Sequence, residues 1–515
     1  MNGARALIES LVNAGVDICF ANPGTSEMHL VQAIDAVPGM RPVLGLFEGV
    51  CTGAADGYAR MRGHPAATLL HLGPGLGNGI ANLHNARRAG TPLVNIIGEH
   101  AVHHVPYDAP LTSDIEGVAR PVSAWVRTAR TSEGLAADAG DAVAAALTPR
   151  PASEGGIATL AVPADCAWGP GRAAPVPTLP ERYRPFMAQG LERFAGMVDQ
   201  DTVLLLDGNA LTAEGLNEAG RIAATSGCRV VTPTFPARLE SGPGVYPAAR
   251  LPYFPEQVLD TLAGARRLVL VGAEPPVGFF AYPQTPSSLV PEGCEVTRLN
   301  HRHEDGVGAL AALAEACGVT APAGEFPGQT RPDLPEGKLS VRGVSRVLAA
   351  LAPEQCIVAA DSGGGGAAAG PMQRAVRHSW LNLTGGAIGQ GGPAAVGAAL
   401  ACPERTVLAL LGDGGAMYTN QYLWTAAREK LDLVTVVYAN RSYGILDVEY
   451  RRLGVNEVGQ KAASLFDLSG PDLDWVALAA SQGVPGRRAD TCEGFAAAFR
   501  EALATPGPYL IEAIV

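Results

Sequence analysis

Two oxygen-bearing side chains near the C-terminus have the spacing of a cation site. The apolar run Thr406–Leu411 leads straight into Gly412-Asp413-Gly414-Gly415, and with 25 residues intervening after Gly414 comes Asn440, at the end of a second apolar run, Leu433–Ala439. If both runs are strands of a parallel sheet, Asp413 and Asn440 share its carboxyl edge, where α/β proteins bind ligands. A carboxylate and an amide oxygen suit a hard cation such as Mg²⁺, which usually takes its remaining ligands from phosphate and water. Glycines beside the carboxylate let backbone N–H groups and a helix N-terminus face the same phosphates. A dinucleotide fingerprint fails on spacing, because Met417 stands where the third glycine is needed. An ordinary βα turn with a helix-capping aspartate is the plainer alternative.

A second group lies near the N-terminus. Glu48 follows the apolar run Val43–Phe47 and opens a helical pattern from Gly49 to Arg60. Taken alone it would be a glutamate at an exposed helix N-terminus. His71 ends another apolar run, ahead of Gly73, Gly75, Gly77 and Asn78. A neutral imidazole there can move protons, or it can be held by backbone hydrogen bonds at a strand end. His103-His104 reads as a solvated loop.

These residues need sheets to position them, and the chain reads as repeated βα units. Strand-like runs fall at 43–47, 67–70, 93–97, 157–162, 203–206, 229–231, 268–271, 357–360, 406–411, 433–438 and 509–515. Most are continuously apolar, as expected for parallel strands buried on both faces. Helical patterns lie between them at 135–147, 344–351, 418–430 and 493–504. The expected fold class is α/β with doubly wound parallel sheets. Proline-rich stretches at 168–186 and 319–338 read as linkers and divide the chain into domains at 1–170, 187–318 and 338–515.

The run Gly412-Asp413-Gly414, the 25-residue interval, Asn440 and then Tyr443-Gly444-Ile445 resemble the motif of thiamine-diphosphate (ThDP) enzymes. The resemblance implies that Asp413, Asn440 and the carbonyl of Ser442 hold Mg²⁺ against the diphosphate, with Gly412, Gly414, Gly415, Tyr443 and Gly444 around it. The segment opened by Glu48 resembles the one whose glutamate bonds N1′ of the aminopyrimidine. Sharing a proton there favours the imino tautomer, whose 4′-nitrogen takes the proton from thiazolium C2. Gly385–Ala395 resembles the loop whose apolar residue, here Ile388, wedges between the cofactor rings, with the Gly386 carbonyl as acceptor for the 4′-amino group. Ser362 and Gly363, opening the glycine run to Gly366, lie where the family contacts the diphosphate. The family fold has pyrimidine, central Rossmann-like and diphosphate domains, and its sites are shared between subunits of a homodimer or homotetramer.

Within the family, the chain is similar to the acetolactate synthase large-subunit-like group. His71 matches the active-site histidine of benzoylformate decarboxylases, and Thr25 stands where those enzymes have a serine touching the substrate carboxylate. Two features depart from that pattern. Pro275–Tyr282 has no counterpart of their second histidine, and Asp447, Val448, Glu449 and Tyr450 suggest a more polar lining after Asn440. No FAD pattern is legible in 187–318. The resemblance implies ylide addition to a 2-oxo acid, loss of CO₂, and an enamine that is protonated or added to an aldehyde or ketone. The competing readings are a non-catalytic ThDP-fold regulatory subunit and an NAD-dependent oxidoreductase.

Composition narrows the setting. Among 515 residues, 38 basic and 50 acidic side chains give a net charge of −12, and no basic run invites nucleic acid or an anionic membrane. Nine scattered cysteines with no C-x-x-C pair argue against a zinc site or a disulfide framework and favour a reduced, cytoplasmic setting. No long uninterrupted apolar stretch calls for a membrane span. Of 63 glycines, 16 fall in four clusters, at 73–79, 363–366, 385–392 and 412–415. Their expected role is to bring backbone against a cofactor.

Overall fold

The structure, a computed structural model, describes residues 1–148, 156–175, 177–187, 190–320, 328–455 and 457–515. Of the two proline-rich stretches, position 176 and residues 321–327 lie outside the described residues.

The apolar runs assemble into three sheets. The first contains β1 (Ile18–Asn22), β2 (Arg41–Leu44), β3 (Ala66–Leu70), β4 (Pro92–Glu99), β5 (Trp125–Thr128) and β6 (Gly156–Pro163), all parallel, in the order β2-β1-β3-β4-β6-β5. The second is built from β7 (Thr202–Leu206) and β8 (Arg229–Thr232). The next strand, β9 (Arg238–Ser241), leaves for the third sheet, while β10 (Ala249–Arg250), β11 (Arg267–Val271) and β12 (Glu295–Asn300) complete the second in the order β10-β8-β7-β11-β12. The third sheet adds β13 (Cys356–Ala360), β14 (His378–Asn382), β15 (Val407–Gly412), β16 (Leu433–Ala439), β17 (Gly486–Ala489) and β18 (Tyr509–Ile514), ordered β17-β18-β16-β15-β13-β14-β9. Only β9 runs antiparallel there, against β14. The fold is therefore three parallel-dominated α/β sheets, as expected.

Local departures have physical causes. The strand expected at 43–47 pairs only over Arg41–Leu44, because its neighbour β1 supplies partners only from Ile18 to Ala21. The chain then turns into the helix Glu48–Arg62. The helix expected at 418–430 forms only over Tyr422–Glu429, after a separate helical turn at Asp413–Ala416, and between them the Thr419 hydroxyl donates to the Gly389 carbonyl at 2.6 Å.

Two buried helices join the outer sheets. Glu48–Arg62 is buried from Gly49 through Met61, and Gly391–Ala401 is buried throughout. They cross at small residues: a Cβ on Gly57 would lie 2.0 Å from the Ala394 carbonyl oxygen, and one on Gly397 1.9 Å from that of Ala54. Only glycine permits backbones this close. Beside the crossing, the buried Asp56 pairs with Arg60 at 2.6 Å and accepts from Thr91 and Gln390, while Arg60 also donates to the carbonyls of Asn382 and Ala237. A buried ion pair tolerates desolvation only when its remaining hydrogen-bonding capacity is met, as here.

Candidate active site

In the first sheet the chain passes from β1 to β2 on one side and then to β3 on the other. Its topological switch point is therefore between β1 and β3, where α/β sheets bind ligands. Thr25, Ser26 and Glu27 leave β1 there, and His71 leaves β3 as the cap of the helix Leu72–Ala89. The Glu27 carboxylate is fully buried and saturated: Oε2 accepts from the Gly24 N–H at 2.7 Å and from His71 Nδ1 at 2.8 Å, and Oε1 accepts from the Ser26 hydroxyl at 2.6 Å. A carboxylate acceptor holds a proton on Nδ1 and leaves Nε2 as the nitrogen open to the site. Glycines make the room, since a Cβ on Gly24 would sit 2.2 Å from His71 Nδ1 and one on Gly98 1.7 Å from Glu27 Oε1.

Glu48 lies across Gly75 from this histidine. A Cβ on Gly75 would be 3.3 Å from Glu48 Oε1 and 3.5 Å from the His71 Cβ. Glu48 Oε2 accepts from the Asn78 amide at 3.0 Å, the one side-chain hydrogen bond of this carboxylate among the described residues. In the first glycine cluster, 73–79, which lies inside a helix, Gly73, Gly75 and Gly79 give space to protein side chains, where the expectation was backbone against a cofactor, and Gly77 opens onto free space.

In the third sheet the switch point lies between β13 and β15, flanked by Asp361-Ser362 and Gly412-Asp413, with Asn440 leaving the next strand, β16. Asp413 is buried, and burial pushes its carboxyl above the ordinary aspartate value, opposed by the N–H groups of Arg441 and Gly414. Its Oδ2 accepts from the Arg441 N–H at 2.7 Å, which holds the Asn440 turn against the Gly412 turn. Asn440 is exposed, and its Oδ1 accepts from the Ser442 N–H at 3.2 Å. The Tyr443 ring covers Gly414, where a Cβ would approach it to 2.2 Å, and Gly444 would meet the Asn440 amide at 3.5 Å. Gly363 opens onto free space, and a Cβ on Gly412 would lie 3.3 Å from Ser362 Cβ. This cradle of open glycine backbone around hard oxygen donors fits a diphosphate and a divalent cation.

The loop carrying Gly386 and Ile388 is clamped from three sides. Asn85 donates to the Ala387 carbonyl at 2.8 Å and accepts from its N–H at 3.2 Å, and His84 Nε2 lies 3.0 Å from the Gly385 carbonyl. Asp361 Oδ2 accepts from the N–H groups of Gly389 at 3.1 Å and Gly391 at 3.0 Å. Its other oxygen is buried without a hydrogen-bond partner among the described residues, and burial pushes the carboxyl up to about 6. Gly386 has φ +77° and is exposed, and Ile388 lies beside Gly415.

Sequence reasoning missed Ser26, Glu27, Asn78, Asn85 and Asp361. Ser26, rather than the exposed Thr25, reaches His71, at 3.2 Å. The legible signal was polar residues at strand exits or in otherwise apolar helices; their partners are remote in sequence. The lining after Asn440 also differs from expectation. Asp447 pairs with Arg451, and Glu449 accepts from the Tyr282 hydroxyl at 2.9 Å, so the side chains left exposed on the helix Gly444–Arg452 include Ile445, Leu446 and Val448. A cavity of about 360 Å³ lies elsewhere, where Asp207, Arg302 and Arg62 meet at the exit of β7.

Family models for the thiamine pyrophosphate enzymes match both ends of the chain: the N-terminal TPP binding domain over residues 1–118 and the C-terminal TPP binding domain over 365–513. The chain is 51% identical over 529 residues to a Mycobacterium tuberculosis protein provisionally named acetolactate synthase large subunit IlvX, covering 100% of this chain and 99% of that protein. It is 30% identical over 547 residues to benzoylformate decarboxylase of Pseudomonas aeruginosa, covering 98% and 97%. Among solved structures, the thiamine diphosphate-dependent 4-hydroxybenzoylformate decarboxylase of Rhodococcus jostii RHA1 superposes with a TM-score of 0.83 at 25% identity, covering 100% of this chain and 99% of that one. No helix among the described residues is long and apolar enough to cross a membrane.

Proposed function

The chain belongs to the thiamine-diphosphate-dependent enzymes, of the acetolactate synthase and benzoylformate decarboxylase type, and we propose that it is a Mg²⁺-dependent 2-oxo acid decarboxylase or carboligase. The observation that carries this reading is Glu48, a carboxylate oriented by Asn78 but not consumed, across Gly75 from a histidine whose working nitrogen is left free. When bound, thiamine diphosphate supplies an electron sink for the pair released as a 2-oxo acid loses CO₂.

The chain's own residues divide the remaining work. Asp413, Asn440 and the Ser442 carbonyl would hold Mg²⁺, and the backbone of Gly363, Gly412 and Gly415 would face the diphosphate. Gly386 offers a carbonyl and Ile388 an apolar side chain to the organic rings, on a loop fixed by Asn85 and Asp361. Glu48 would exchange a proton with the pyrimidine at its carboxylate oxygens, in a half-buried site. His71 Nε2 takes or returns a proton to the reacting carbon while Glu27 keeps the ring in one tautomer. Glu48 has no hydrogen bond to the loop of Gly386 in one chain, and Leu46 and Met417 leave apolar surface exposed near the two half-sites. Both features support a homodimer in which the halves are completed by a second copy.

The test combines binding and turnover. The unfolding temperature should rise when ThDP and Mg²⁺ are added together, and Glu48→Gln should retain that rise while losing at least ~100-fold in turnover of 2-oxo acids. An absent thermal shift removes the cofactor, and near-normal turnover removes Glu48 from its role.

A further inference from the structure

The loop after β11 and the helix after Asn440 meet in a cluster of aromatic rings that none of the steps above uses. Phe279 is its centre. Its ring centroid lies 5.3 Å from that of Tyr253, 5.8 Å from Phe235 and 5.0 Å from Phe280. The Phe279 ring also touches the proposed cofactor loop: a Cβ on Gly386 would lie 2.8 Å from its Cζ.

The rest of the cluster is anchored to the helix Gly444–Arg452. The Arg452 guanidinium stacks on Phe254 and on Tyr282, 4.4 Å from each ring centroid, and is neutralised by Glu256 at 2.6 Å. The Tyr282 hydroxyl donates to Glu449 at 2.9 Å, and burial followed by that carboxylate pushes its phenol up to about 12, so it stays neutral. The charged groups of this region are thus spent on one another. What remains open beside Gly386 is apolar, with Phe279 43% and Phe280 55% exposed. Two large exposed rings together, next to backbone reserved for a ligand, are a recognition surface rather than scattered surface residues.

We infer that Phe279 and Phe280 determine specificity, forming a wall that accepts the side chain of the 2-oxo acid and favours an aryl or comparably bulky apolar group over the methyl of pyruvate. The inference rests on the proposed 2-oxo acid chemistry and adds which part of the chain selects the substrate. An aryl ring would gain offset or edge-to-face contact with Phe279 and remove apolar surface from water, whereas a methyl group offers no ring to stack and far less apolar area to bury. The two phenylalanines are placed by the central segment, so selectivity can change without touching Glu48, His71 or the cation site.

The experiment compares binding of two 2-oxo acid mimics that cannot lose CO₂, the methyl esters of benzoylphosphonate and acetylphosphonate, to the ThDP- and Mg²⁺-loaded protein by calorimetry. The benzoyl compound should bind at least ~10-fold more tightly, the scale on which apolar pockets discriminate. Phe279→Ala with Phe280→Ala should bring the two affinities within about threefold of each other while keeping the cofactor-induced thermal shift and the oligomeric state. Phe279→Leu, which retains apolar volume, should fall between them and covers failure of the alanine variant to fold. Equal binding of both mimics to the unaltered protein, or unchanged preference in the variants, overturns this inference alone. Variants that dissociate with the preference intact overturn it as well, because the rings would then serve subunit contact. Binding of neither mimic, with no turnover of any 2-oxo acid, overturns the underlying functional reading and this inference with it.

Discussion

Asp361→Asn tests the electrostatics beneath the cofactor loop. Asp361 is buried at the exit of β13, with one carboxylate oxygen on the N–H groups of Gly389 and Gly391 and the other without a partner among the described residues. Desolvation dominates, and the carboxyl titrates at about 6 in place of its ordinary 3.8. The charged form therefore costs the folded chain about 3 kcal/mol relative to the unfolded one. The sign follows from the folded value being the higher. Stability from this group is whole below about 3.8 and is lost as pH rises through about 6.

Between pH 5 and pH 8 that loss amounts to about 1.4 kcal/mol, or roughly 3–6 °C in the melting temperature of a unit this size. Asparagine can accept from both N–H groups and has no proton to lose. Calorimetric melts of the cofactor-free protein at pH 5, 6, 7 and 8 should therefore show the variant gaining on the natural protein by that amount as pH rises. Other titrating groups are common to both and cancel in the difference. A melting-temperature difference that is constant across the range would refute the assignment, because it would mean that Asp361 does not titrate there.

Two further outcomes follow from packing and hydrogen bonding. Glu27→Gln should cost about 1–3 kcal/mol, since it disturbs a buried acceptor of three hydrogen bonds, and should lower turnover at least ~10-fold by freeing the His71 tautomer. Melting temperature and kcat measured together check it, and an unchanged kcat would detach His71 from catalysis. Gly57→Ala places a Cβ 2.0 Å from the Ala394 oxygen between two buried helices. It should lower the melting temperature by at least ~3 °C, as overpacking costs roughly 1–3 kcal/mol. A tolerated alanine would mean that the helices can separate at little cost.

The sequence by itself determined the fold class, because continuously apolar runs between helical patterns can be buried only as parallel strands covered on both faces. It also placed together the two residues proposed to hold Mg²⁺. Asp413 and Asn440 sit at the exits of neighbouring strands, β15 and β16, so the local pattern already places them on one edge. Only the tertiary structure decided what surrounds them. Glu27 reaches His71 because β1 and β3 are neighbours in the sheet. Asn85 holds the loop of Gly386 across 302 positions of sequence. Asp361 is enclosed because the turn of Gly389 and Gly391, 28 and 30 positions along the chain, closes over it. The exposure of Ile445, Leu446 and Val448 beside the Asp447–Arg451 pair has the same kind of cause: Glu449 and Arg452 find partners in the middle segment, and what a charged residue presents depends on whether such a partner is near. Residue types and their local spacing are written in the chain. The pairing of groups far apart along it comes from sheet order and helix crossing, which local pattern does not encode.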